Sequence, residues 1–407
     1  MRTTNSTQPT GAVMHAMDVA ELRAHIRTLI TLDEEDDAPL VTSYVPIGRH
    51  GAQPNPFEGR VREIRKLLTD RERALFDEPF DLILEFLARE VRFPTRGVAA
   101  FARAGKRPFF LGLQFQVPVP ERLSVGPCPD IYHLVELKDT YHRYVVLIST
   151  AESARILEVN LGAVTREVWT ERPELRERVG REWTHEHYQD HRRQRGERFV
   201  KEKIELLERL MAAGGHSHLI LAGNPRMTAH IRKNLPKRLL DKLVDVLPAS
   251  GNAPVEDIVA STLSTFIERE RQESIDAVTH LAGAIKRGGL AAAGTSASLA
   301  ALQRGQADVV VMAKPYAPGH AWSCRQCGWV DATTSCPDSC VVCGATDLRT
   351  ENLREIMVRL AERQSLEVEM VEHSDVLMAL GGVGCLLRYA TSEPSDEPSD
   401  ELGSAES

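Results

Sequence analysis

A chain of 407 residues is too long for one ordinary hydrophobic core, so two or three domains are expected. With 42% hydrophobic and 27% charged residues it is globular in composition, and no run of 18 apolar residues offers a membrane span. The net charge of −8 speaks against a nucleic-acid partner until it is located: Ser392 to Ser407 hold six acids and no base, and without them the remainder is near −2.

The N-terminal MRTTNSTQPTGAVMHAM has no apolar signal-peptide core, and a cytoplasmic protein is expected. MDVAELRAHIRTLIT places Leu22, Ile26, Leu29 and Ile30 at helical spacing. Five acids cluster in DEEDD, Asp33 to Asp37, before PLVTSYVPI, which reads as a buried strand. PNPFEGRVREIRKLLTD and PFDLILEFLAREV read as two helices. GVAAFA, RPFFLGLQFQV and RLSVGPCPDIYHLVEL read as strands. Together they make a first α/β domain, residues 1–140.

YHRYVVLISTAESARILEVNLGAVTREVWTE reads as three successive strands, at Val145–Ile148, Ala154–Val159 and Val164–Trp169. WTHEHYQDHRRQRGERFVKEK, Trp183 to Lys203, leads into a long helix with Phe199, Ile204, Leu207 and Met211 inward. HSHLILAGNP is a buried strand with a Gly-Asn-Pro turn. A basic helix and the helical VEDIVASTLSTFIERERQES complete a second domain, 141–275. Strands first, then alternating helices and strands, predict a mixed sheet covered by helices.

A third domain, 276–391, runs helix, turn, helix and strand through SIDAVTHLAGAIKRGGLAAAGTSASLAALQRGQADVVVMAKPY. LREIMVRLAERQSLEVEMV adds a helix and a strand, and VGCLLRY a last strand. An insertion at about 320–348 interrupts this unit. The tail, 392–407, repeats EPSD and is expected to be disordered. The fold class is therefore α/β with mixed α+β sheets, in three domains.

The insertion carries Cys324-x-x-Cys327, twelve residues, and Cys340-x-x-Cys343, which is zinc-ribbon spacing. Two short turns can each aim two thiolates at one tetrahedral ion. Gly328 and Gly344 suit the sharp knuckles. Four thiolates close the shell, so a structural Zn2+ is expected. Cys336 is a spare thiol that could replace Cys340. Cys128 and Cys385 read as small core residues.

Two basic segments lie close together. Arg192 to Lys203 carries six Arg/Lys against two Glu, and Arg226 to Lys242 carries six against Asp241. One such run is ordinarily a solvated face; two in succession favour an anionic partner. The stretch before the long helix admits several readings. His187 and His191, four apart, could bind metal with His185 or Glu186. His185 could act as a general acid or base. It could also be an exposed loop. The reading preferred is RNA contact through Trp183, His185, Tyr188, Arg192, Arg193 and Arg195. Guanidinium groups bind phosphate with two donors, and the rings can stack on unpaired bases.

YVVLISTAESARILEVNLG, GGLAAAGTSASLAALQRGQADVVVMAKPY with its cysteine insertion, and VEMVEHSDVLMALGGVGCLLRY, taken in that order, resemble the archaeal/eukaryotic release factor 1/Pelota family over nearly all of residues 17–391. VTSYVPIG resembles its bacterial branch, which includes ribosome-hibernation factors. The resemblance implies an N-terminal decoding-centre-type domain, an RNase H-like middle domain and a C-terminal α/β domain of the kink-turn-RNA-binding type with the zinc ribbon inserted. It also implies a monomer whose partners are the bacterial ribosome, at rRNA of the A site, and a translational GTPase such as EF-Tu.

Release factors of this family hydrolyse peptidyl-tRNA with a Gly-Gly-Gln loop between the third strand of the middle domain and the long helix. Here that place reads GREWTHEHYQDH, and Gly-Gly-Gln occurs nowhere in the chain. An RNase H nuclease needs clustered carboxylates for two divalent ions. The first strand offers Ser149 and Thr150 instead, with only Glu152 and Glu158 nearby. Two readings follow: a non-catalytic factor filling the A site of idle ribosomes, or a rescue, release or peptidyl-tRNA hydrolase enzyme using His185 or Gln189.

Overall fold

A computed structural model describes residues 16–32, 38–48, 57–171, 185–333 and 335–389. The first helix, α1 (Val19–Ile30), starts on a capping box. Asp18 Oδ1 accepts from the Glu21 N–H at 2.9 Å, and Glu21 Oε2 accepts from the Asp18 N–H at 3.1 Å. Such caps contribute about 1 kcal/mol. Strand β1 (Leu40–Pro46), helices α2 (Glu58–Leu67) and α3 (Asp70–Arg89), and strands β2 (Gly97–Arg103), β3 (Phe109–Phe115) and β4 (Arg122–Gly126) follow. They form an antiparallel sheet in the order β3-β2-β1-β4. One face packs on α3 through Phe76, Phe80, Ile83 and Phe86.

RLSVGPCPDIYHLVEL is not one strand. It turns after Gly126, and Tyr132–Thr140 is helix α4. Leu134, Val135 and Leu137 are buried at helical spacing. The helix start is satisfied from far away in the chain: Glu355 Oε2 accepts from the N–H groups of Ile131 and Tyr132 at 3.0 and 3.2 Å. No local signal announces that partner.

The central sheet is built from β5 (Tyr144–Ser149), β6 (Ser153–Asn160), β7 (Ala163–Glu171), helix α5 (His185–Gly214), β8 (His218–Gly223), helices α6 (Pro225–Asn234) and α7 (Lys237–Leu240), and β9 (Leu243–Pro248). Its order is β7-β6-β5-β8-β9. The first three strands are antiparallel; β5, β8 and β9 are parallel. Strand β9 extends the sheet beyond the strands read from the sequence. Phe199, Ile204, Leu207 and Met211 of α5 are buried, as the sequence spacing predicts.

Helix α8 (Val255–Lys286) runs unbroken for 32 residues. Ile258, Val259 and Phe266 cover the other face of the central sheet. Val278 and Leu281 join the core of the next layer. The limit expected between 275 and 276 thus falls inside a continuous helix. Beyond it come β10 (Ala291–Ala293), α9 (Thr295–Gln303), β11 (Ala307–Ala313), β12 (His320–Cys324), β13 (Val330–Asp331), β14 (Leu348–Asn352), α10 (Leu353–Arg363), β15 (Glu367–Val371), α11 (Asp375–Ala379) and β16 (Val383–Leu387). They make a mixed sheet, β10-β16-β11-β15, and a small antiparallel sheet, β13-β12-β14, which is the inserted segment.

The first and third layers share one core. Leu22 and Ile26 of α1, Leu134 of α4, and Ile356 and Met357 of α10 belong to the same buried cluster. Among the described residues no helix is long and apolar enough to cross a membrane. Asp33–Asp37 and the acidic tail lie outside the described residues.

Candidate functional site

The carboxyl ends of β5, β8 and β9 open into a cleft of about 1030 Å³, lined by Thr150, Gly223, Asn224, Arg226, His230 and Gly251 among others. Ser149 lies opposite Gly223 in the parallel pair. Gly223 has φ 143°. A Cβ there would come within 2.2 Å of the Ser149 carbonyl, so only glycine lets the chains part so closely.

At the root of this cleft sits Lys203, fully buried. Its Nζ donates to Ser149 Oγ and to the Thr150 carbonyl, both at 2.8 Å, and lies 4.1 Å from the centroid of the Phe199 ring. Lys203 therefore leaves the basic face to which the sequence count assigned it. The reason is helical phase: Phe199, Lys203 and Leu207 are four apart and point the same way. The carboxylates do not converge on this point. Glu152 is exposed, and Glu158 lies 3.2 Å from His216 Nε2. The Lys203 amino group fills the place beside Ser149 where a metal-dependent nuclease would gather carboxylates for divalent cations.

The two basic segments become neighbours, because α5 packs on α6. Arg195, Arg198 and Lys201 of α5 are exposed, as are Arg226, Arg232, Lys233, Lys237 and Arg238. Arg238 pairs with Glu208 of α5 at 2.6 Å. His185, Tyr188, Arg192 and Arg193 fall at the start of α5, together with His187, Gln189 and His191. Residues 172–184, Trp183 among them, lie outside the described residues.

In the small sheet, Cys324, Cys327, Cys340 and Cys343 converge, with one sulfur from each lying within 4.8 Å of the others. The 324–343 and 327–340 sulfur pairs are 3.6 and 3.5 Å apart. A tetrahedral zinc with bonds of about 2.3 Å spaces its sulfurs by about 3.8 Å, so the four cysteines fit the ion. Each knuckle closes on a glycine in the left-handed region. Gly328 (φ 73°) donates to the Cys324 carbonyl at 2.9 Å, and Gly344 (φ 72°) to that of Cys340 at 2.8 Å. Burial opposes ionisation of Cys340, but the backbone N–H groups of Cys343 and Val342 outweigh it and bring the thiol down to about 7. Cys336 is exposed and hydrogen-bonds the Pro337 carbonyl at 3.5 Å, so Cys340 is the fourth member. Cys385 is buried as expected; Cys128 is only half-buried, with Arg349 Nη2 at 3.6 Å.

The family model that matches is bacterial archaeo-eukaryotic release factor family 10, over residues 129–266, from just before α4 to the middle of α8. Among solved structures the chain is similar to the archaeal translation termination factor aRF1, at 16% identity over 92% of this chain and 99% of that one, with a TM-score of 0.25. Pelota of Archaeoglobus fulgidus is 12% identical over 93% of this chain and 95% of that one, with a TM-score of 0.35. An archaeal Pelota from a ribosome-bound complex with ABCE1 is 15% identical over 92% and 95%, with a TM-score of 0.39. The family match covers residues 129–266 of the 407. None of the curated proteins matches the chain.

Proposed function

We propose that this protein is a ribosome-binding factor that fills the A site of idle ribosomes and reaches the peptidyl-transferase centre without hydrolysing peptidyl-tRNA. One observation carries the reading: a release-factor family match over residues 129–266 in a chain that has no Gly-Gly-Gln. The diglycine gives a release loop its backbone freedom, and the glutamine gives it an amide to place water. A chain that keeps the surrounding domain and lacks both is suited to occupy the site rather than to react in it.

The buried Lys203 supports the same direction, since its amino group stands at the strand end where an RNase H-like middle domain would need carboxylates for catalytic metal. The adjoining basic faces of α5 and α6 suit phosphate contact. A Zn2+ closed by four cysteines would hold the insertion of the C-terminal domain and take no part in chemistry. The resemblance read from the sequence suggests the bacterial hibernation factor Balon, and on that reading the target is the idle ribosome and the partner a translational GTPase such as EF-Tu. The domains then read as 1–140, 141–275 and 276–391, with α8 as the shaft between the last two.

Single-turnover release of labelled peptide from ribosomes with an empty A site, at saturating protein, tests the proposal. Release at the buffer rate with stable ribosome co-sedimentation is expected. Release well above buffer, lost in His185→Ala, would install the hydrolase reading instead.

A further inference from the structure

We infer that His142, His218 and Glu270 form a second metal site, for a divalent ion of the zinc type, at the joint between the central sheet and α8. It is independent of the ribosome reading. The three residues come from three elements. His142 lies two residues before β5, His218 opens β8, and Glu270 is at mid-length in α8. Tyr144 of β5 lies opposite His218 in the parallel pair, so both imidazoles emerge at the same end of the sheet.

The ring nitrogens are arranged as ligands. His142 Nε2 and His218 Nδ1 face each other at 3.3 Å. This contact holds the two rings relative to each other. The other nitrogen of each ring faces Glu270: His142 Nδ1 lies 3.2 Å from its Oε2 and 2.9 Å from the Asp139 carbonyl, and His218 Nε2 lies 3.5 Å from its Oε1 and 3.2 Å from Glu273 Oε1. Ser217 Oγ, 2.8 Å from His218 Nδ1, steadies that ring from its second nitrogen, as hydrogen-bonding partners do for metal-bound histidines.

Glu270 completes the set. Its two oxygens bridge His142 Nδ1 and His218 Nε2, and one ligand atom from each residue falls within 4.8 Å of the others. Glu270 Oε1 is buried and has no hydrogen-bond partner. An orphaned carboxylate oxygen beside two imidazoles is an unmet demand for a cation. Both rings rest edge-on against Phe266, with centroids at 5.1 and 5.4 Å, which limits their rotation. The site opens on a cleft of about 620 Å³, a path for the ion and room for a water as fourth ligand. Two imidazoles and one carboxylate select Zn2+, Co2+ or Fe2+ over Mg2+ or Ca2+. Bound there, the ion would clamp α8 to the central sheet.

The test is a Co2+ titration of full-length protein, stripped by chelator under reducing conditions. A four-thiolate site gives intense near-ultraviolet charge-transfer bands. A site of two imidazoles and a carboxylate gives only weak visible bands. Two equivalents per chain are expected. His142→Gln/His218→Gln should keep the thiolate bands and lose the second equivalent, and Glu270→Gln should weaken it roughly tenfold or more. Fewer than two equivalents in the parent protein, or a second equivalent unchanged by the variants, overturns the inference. If the double variant loses its far-ultraviolet circular dichroism, Glu270→Gln decides on the same readings.

Discussion

The carboxylate of Glu355 in α10 caps α4 by accepting from Tyr132 N–H, 223 residues earlier in the chain. It is buried with Asp130 beside it. Burial first, then the charge of Asp130, hold its pKa well above the ordinary 4.5. Asp130 stays below its ordinary value despite its own burial, through its hydrogen bond with Glu355 and through Arg122 at 2.6 Å. Each acid has a buried oxygen that meets no donor of its own, Asp130 Oδ1 and Glu355 Oε1. One proton shared between them satisfies both.

This gives stability a pH dependence of known sign. A carboxyl whose folded pKa exceeds its unfolded value binds the extra proton when folded. Its contribution is complete below the unfolded value and is lost as pH rises toward the folded one. Glu355→Gln keeps an acceptor for the cap and a donor for Asp130. Its melting temperature should match the parent protein at pH 5 and exceed it at pH 8. Equal shifts at both pH values would place the proton elsewhere. Glu355→Ala removes the cap and should cost about 1 kcal/mol or more at either pH.

Lys203→Met keeps the length of the side chain and removes its donors. Ser149 Oγ and the Thr150 carbonyl then lose a buried partner, and urea denaturation should show a loss of about 1–3 kcal/mol. An unchanged midpoint would mean that water replaces the amino group at no cost.

Elemental analysis of reduced protein should find zinc, and Cys324→Ser should release the ion bound by the four cysteines. Proteolysis should then cut first within 320–352, while the central sheet stays protected. Cys336→Ser should leave metal content unchanged.

Ribosome co-sedimentation should weaken steeply with salt if phosphate contacts dominate. Replacing Arg192, Arg193 and Arg195 together by Glu should abolish it without unfolding the chain. Trp183→Ala with Tyr188→Ala should lower occupancy and leave any release rate at the buffer level. Undiminished binding by the arginine variant would make this face a merely solvated one.

Much of the architecture was legible in the sequence because local pattern and tertiary role agree. The apolar run at Val145–Ile148 is a strand buried on both faces, and two CxxC turns bring their own geometry. The misreadings have physical causes. Tyr132–Thr140 passed for strand because its cap, Glu355, lies on another layer. The limit near 275 has no local mark, since no Gly or Pro interrupts 255–282 and the helix runs through it. Lys203 could have been found: it sits on the buried stripe set by Phe199 and Leu207. His142, His218 and Glu270 could not, since their spacing carries no local period.

The unbroken α8 has a mechanical consequence. Its 32 residues span about 48 Å, and its two halves are gripped by different cores. A flexible tether would leave the reach of one end to chain statistics; a shaft makes it a fixed length and a fixed phase. Removing one residue from its middle would shorten it by about 1.5 Å and turn one grip against the other by roughly 100°. Torque, more than distance, is what this connection transmits.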